Sequence, residues 1–249
     1  RMHAAKALGR IQDPGAVGSL VPLLQDKVKA VREEASTALA AIGEAALSSL
    51  LVALTHAEWL VRLHAVEALG KTRSPEAVDP LLSVLFNDRD RAVREDAIRA
   101  LGQIGDARAV EFLVTSMKEP GLRPLAVEAL GRIGDRCAVP VLISVLEKVD
   151  RPEISRPIDG CGDQWDEERL TLGEAVRALG AIRDEAAIPS LMKALRYTVT
   201  RAEAADALTR FGSSVIAPLL AVLAREADDN IRYHVKDTLA KVGWRAGRV

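Results

Sequence analysis

Apolar residues along this chain recur at i, i+4 and i+7, and the pattern itself recurs about every 30 residues. The phrases AAKALGRI, ASTALAAI, AVEALGKT, AIRALGQI, AVEALGRI, AVRALGAI, AADALTRF and VKDTLAKV align on Leu8, Leu39, Leu69, Leu101, Leu130, Leu179, Leu208 and Leu239. A small apolar residue stands four positions earlier in each, from Ala4 to Val235, and a mostly apolar one three later, from Ile11 to Val242. That spacing predicts one stripe of an amphipathic helix, here called helix A, with small residues that let neighbouring helices approach closely. Gly43, Gly105, Gly134, Gly212 and Gly243 fall four after the leucine, where a helix C-cap needs positive φ.

A short turn follows, often acidic (Asp13, Glu44, Asp106, Asp135, Asp184), and then a second apolar run: LVPLL, LLVAL, LLSVL, LVTSM, LISVL, LMKAL and LLAVL. Pro80, Pro140, Pro189 and Pro218 lie at or near the starts of these runs, where a missing N–H costs least. Each repeat is therefore predicted to be a helix A, a turn and a helix B. A fixed period of this kind means that each unit buries its apolar face only against its neighbours. The predicted fold is all-α, a right-handed α-solenoid of about seven and a half helix pairs forming a single domain over residues 1–249. The chain opens inside a helix A and carries no obvious polar cap at either end, which predicts flanking domains in a longer chain or end-to-end self-association.

Seven positions before the reference leucine stands a basic column: Arg1, Arg32, Arg62, Arg94, Arg123, Arg201 and Arg232. The arginine stems are expected to cover the junctions between units while their heads pair with turn acids such as Asp26, Asp88, Asp90 or Asp228. Leu172 is the exception, and it follows an interval longer than the others. That interval, about 149–168 between the fifth and sixth units, reads as an acidic insertion: residues 150–169 hold seven acids and three arginines. Pro152 and Pro157 forbid a continuous helix through it, while Asp163 is a candidate N-cap for a helix starting in DQWDEERL.

The phrase VREDAIRALGQIGDARAVEFL, Val93 to Leu113, resembles the HEAT-like repeat of the phycobilin-lyase type, and the resemblance covers the chain apart from the insertion. It implies that the B helices line a concave face and the A helices a convex one. Such repeats occur in phycobilin lyase subunits, in scaffolds, in a DNA glycosylase family and in deoxyhypusine hydroxylase. The last requires His-Glu pairs for its irons, and none of His3, His56, His64 and His234 is followed by Glu.

Composition narrows the remaining choices. Thirty-four basic and 35 acidic residues leave a formal charge of −1, so no overall field favours nucleic acid or anionic lipid. Aromatic content is 3%, which suits a core of Ala, Leu, Val and Ile. Cys137 and Cys161 form no disulfide framework and no metal motif, which points to a reducing, cytoplasmic setting. No run approaches the ~20 apolar residues of a membrane span. His3, His64 and His234 share a column with Glu34, Asp96, Glu174 and Glu203, but they lie at least two units apart and are expected on a solvated face. No nucleophile, phosphate-loop or dinucleotide signature is present, so no catalytic residue and no cofactor is assigned.

The reading favoured by these residues is a non-enzymatic module that binds a helix or peptide of another protein on its concave face. Phe86, Lys118, Lys193 and Arg196 lie on the inner columns of the B helices, and Asp163 and Trp165 lie in the insertion, where a tryptophan suits an interface anchor. The resemblance adds a phycobilin lyase-like chaperone or enzyme subunit as the alternative, and a DNA-binding or DNA-repair protein as a second.

Overall fold

The computed structural model describes residues 1–147 and 163–245, with the backbone alone for 163–166. Most of the predicted insertion therefore lies outside the described residues. Among the described residues the chain is all-α. Helices A are α1 (Met2–Ile11), α3 (Lys29–Ile42), α5 (Trp59–Thr72), α7 (Arg91–Ile104), α9 (Arg123–Ile133), α11 (Asp163–Ile182), α13 (Arg201–Thr209) and α15 (Asp229–Lys241). Helices B are α2 (Val17–Leu20), α4 (Glu44–Ala53), α6 (Val78–Asn87), α8 (Val110–Ser116), α10 (Val139–Leu146), α12 (Ile188–Ala194) and α14 (Ile216–Arg225). This is the α-solenoid of helix pairs that the period implies. The helices gather into two compact units, Arg1–Leu113 and Val114–Val249.

Within each unit, consecutive A helices pack side by side: α1 on α3, α3 on α5 and α5 on α7 in the first, and α9 on α11, α11 on α13 and α13 on α15 in the second. Small residues set the spacing. A methyl group added to Gly70 would meet Ala100 at 2.8 Å, and one added to Gly131 would meet Ala178 at 2.6 Å. Both glycines stand one after the reference leucine and both alanines one before it, so the same close approach repeats along the stack. Leu39, Leu69, Leu101, Leu130, Leu179, Leu208 and Leu239 are fully buried. Burying a leucine side chain stabilises a fold by about 1.5–3 kcal/mol, so this column and its alanine partners form the core of the stack.

The turn after helix A follows one geometry. The five predicted glycines all have positive φ, from 60° to 84°, and Gln12, Arg73 and Arg183 adopt φ of 55–57° at the same place in the units that lack glycine. A short 3-10 turn then leads into helix B in most units, as at Pro75–Ala77 and Ala107–Ala109. Asp13, Ser74, Asp106, Asp135 and Asp184 start these turns, each side chain accepting a hydrogen bond from the backbone N–H two residues on. The acids expected before helix B are thus turn caps. Glu44 differs because it opens α4 directly. In the first unit Pro22 ends α2 early, and the run continues as a 3-10 segment to Gln25.

The arginine column does more than pair with acids. Arg62 donates to Asp88 and Asp90, and Arg1 to Asp26, as expected. Most column members, however, reach backward to the carbonyl six residues earlier. Arg32 donates to Asp26 O (2.7 Å), Arg62 to His56 O (2.8 Å), Arg123 to Met117 O (3.0 Å), Arg201 to Leu195 O (2.9 Å) and Arg232 to Glu226 O (2.9 Å). The last carbonyls of a helix have no partner within it, and a guanidinium satisfies them while complementing the helix dipole. The expected pairing with Asp228 is replaced: Asp228 caps α15, accepting from Asn230 N and Ile231 N. In the sixth unit the column position is Leu172, which is buried inside α11 and stands nine residues after that helix begins at Asp163.

Candidate functional site

The predicted B-helix residues are exposed, and their surroundings differ between the two units. In the first unit Phe86, 45% exposed at the end of α6, stands beside Phe112 of α8, 44% exposed, with ring centroids 6.1 Å apart and the planes at 59°. Rings at this distance and tilt attract one another, so the pair is held in place on the surface. Val52 on α4 is 74% exposed. It lines an open groove of about 240 Å³ with Val21, Pro22, Gln25, Ser49, Ala53, His56 and Val61. Phe112 and Val52 escaped the sequence reading. Phe112 falls one residue before the run LVTSM, three before the inner-column Thr115, and extending that column backward by one helical turn would have found it.

In the second unit the same columns are mixed, with exposed Ser144 and Glu147 among the basic residues, and Lys118 and Arg196, expected on B helices, stand in the turns just past α8 and α12. Lys118, Lys193 and Arg196 are exposed. Lys193 lines a shallow dimple of about 20 Å³ with Leu146, Glu147, Ser190, Ala194 and Tyr197. Arg196 is engaged: its guanidinium lies 3.2 Å from the carboxylate of Glu226. Asp163 and Trp165 fall in the first turn of α11, and their side chains lie outside the described residues. The helix expected in DQWDEERL is present and starts at Asp163. Glu167 fixes it to the turn after α8, where its carboxylate accepts from Gly121 N at 2.7 Å.

The A helices of the first unit carry a different arrangement. His64 was expected in solvent and is only 5% exposed. Arg32 Nε, which can only donate, lies 3.1 Å from His64 Nε2, so Nε2 accepts and the ring proton sits on Nδ1. Nδ1 lies 3.0 Å from Glu67 Oε2, and Glu67 also accepts from Lys71 at 2.7 Å. Burial alone would raise the Glu67 carboxyl; hydrogen bonds from His64 and Lys71 outweigh it and lower the carboxyl to about 2. Asp96 nearby moves the other way, raised by burial against Arg99. His64 is therefore a joint between α3 and α5, hydrogen-bonded to Arg32 on one and Glu67 on the other. Among the described residues, no group of three His, Cys, Asp or Glu is placed to hold a metal ion. No helix among them is long and apolar enough to cross a membrane.

The repeat geometry agrees with comparison to known proteins. The HEAT repeat family matches residues 1–56 and 47–123, and the PBS lyase HEAT-like repeat matches residues 125–148 and 172–197. The phycocyanobilin lyase subunit alpha of Pseudanabaena tenuis (strain PCC 7409) is 34% identical over 199 residues, which is 74% of this chain and 70% of that protein. The bilin biosynthesis protein PecE of Mastigocladus laminosus is 39% identical over 64 residues, and this match spans 26% of the chain and only 24% of PecE. Among solved structures, the complex of CpcE and CpcF of phycocyanin lyase from Nostoc sp. PCC7120 matches with 27% identity and a TM-score of 0.57, covering 80% of this chain and 77% of that one. A shared period, a shared fold and identity along most of the chain lead to one conclusion: this chain belongs to the HEAT-like repeat proteins of the PBS lyase type.

Proposed function

We propose that the chain is a subunit of a phycocyanobilin lyase-type assembly, handling a bilin together with a second lyase subunit and an acceptor protein. The observation that carries this reading is the 34% identity to a phycocyanobilin lyase alpha subunit over 199 residues, supported by the fold match to the CpcE and CpcF complex. The repeat register runs unbroken from Leu101 to Leu130, which supports one repeat domain over residues 1–249 with the insertion at about 149–168. In this reading the B helices carry the contacts. Phe86 serves on the first unit, Lys118 and Lys193 on the second, and Asp163 and Trp165 where α11 extends past its neighbours; Arg196 contributes through its link to Glu226. The work is placed in the cytoplasm, where the two cysteines stay reduced.

The test is direct. The purified chain is mixed with phycocyanobilin, apo-phycocyanin and the Nostoc CpcF subunit, and visible absorbance and the mass of the acceptor are followed. A coloured adduct that forms only when this chain is present supports the proposal. Equal colour and mass with the chain left out overturns it.

The scaffold reading, in which the chain binds a partner helix with no role in bilin chemistry, keeps one supporting observation, the exposed Phe86 and Phe112 pair. It predicts partner binding that is indifferent to added bilin.

A further inference from the structure

We draw no further inference here: the strongest candidate, the open cavity of about 320 Å³ beside the ends of α4 and α6, is lined by Thr55, His56, Arg62, Asn87, Asp88 and Arg89, which already bond within the chain, and nothing in the structure shows what fills it.

Discussion

Replacing Arg62 by Ala tests whether the arginine column holds the repeats together. Arg62 is 6% exposed, and its guanidinium makes five hydrogen bonds: two to Asp88 at 2.7 and 2.9 Å, one to Asp90 at 2.5 Å, and one each to the carbonyls of His56 and Ala57 at 2.8 and 3.0 Å. The variant leaves Asp88, whose side chain is as buried as that of Arg62, without the guanidinium that pairs with it. Removing one partner of a buried ion pair costs about 3–5 kcal/mol, because the remaining charge stays desolvated. A lysine offers three donors and no planar fork, so Arg62→Lys should lose about 1–2 kcal/mol. Burial would raise the Asp88 carboxyl, but the Arg62 hydrogen bonds outweigh it and hold it below its usual value. A lowered folded-state pKa adds stability that is present above the unfolded value, near 3.8, and is lost as pH falls through the folded one. The gap between wild type and Arg62→Ala should therefore be widest at neutral pH and narrow below about pH 4. Urea denaturation followed by far-ultraviolet circular dichroism, with hydrogen exchange across α5 to α7, measures both. A loss under 1 kcal/mol at pH 7, or a gap that stays constant down to pH 3, would refute the argument.

Other perturbations bear on the same fold. Arg73 adopts φ of 55° and its side chain makes no hydrogen bond or ion pair among the described residues, so Arg73→Gly should stabilise by about 0.5–1 kcal/mol. Gly105→Ala, at φ 79°, should cost about 1 kcal/mol, and melting temperatures moving in the same direction for both would contradict the shared turn geometry. Gly70→Val would push into Ala100 and should cost about 1–3 kcal/mol in urea titrations. Gly173→Ala meets only the flexible tip of Arg177 at 3.5 Å, and should stabilise α11 by about 0.5–1 kcal/mol. Glu67 titrates near 2 when folded, so its share of the stability is complete above about pH 4.5 and lost on the way to pH 2; Glu67→Gln should flatten that part of the pH profile.

The helix pairs were legible because the repeat states them many times over. Leu39 or Leu101 alone would be one apolar residue among many, but eight copies at a near-constant spacing leave one arrangement. The glycine rule was legible for the same reason and incomplete for a physical one. Gln12, Arg73 and Arg183 adopt positive φ without being glycine, because packing of the flanking helices imposes the turn whatever residue occupies it. The arginines were found but their partners were only half read. Counting charges suggests acids, whereas the short turn from B to A brings the guanidinium within reach of carbonyls, which a sequence does not display. His64 was misjudged because its column is half exposed elsewhere, with His3 in solvent, and its partner Arg32 stands 32 residues away.

The same devices explain why the fold is plainer in the sequence than the partner. Both turns of a pair are fixed from within: the turn after helix A by its positive φ and the acid that caps the next turn, and the turn after helix B by an arginine on its carbonyls. The inward faces are fixed by Leu, Ala and Gly. Nothing in the stack then constrains the outward residues of the B helices, which can change without cost to the core. The first unit presents Val52, Phe86 and Phe112 there and the second presents Lys193 beside Ser144, on helices of the same construction. Binding information therefore resides in positions that the repeat leaves free, where the seven B helices do not reinforce one another. Extending the inner columns back one helical turn, from Thr55 to Val52 and from Thr115 to Phe112, marks these positions, and burial separates Val52, on the surface, from Leu50 two residues before it, in the core.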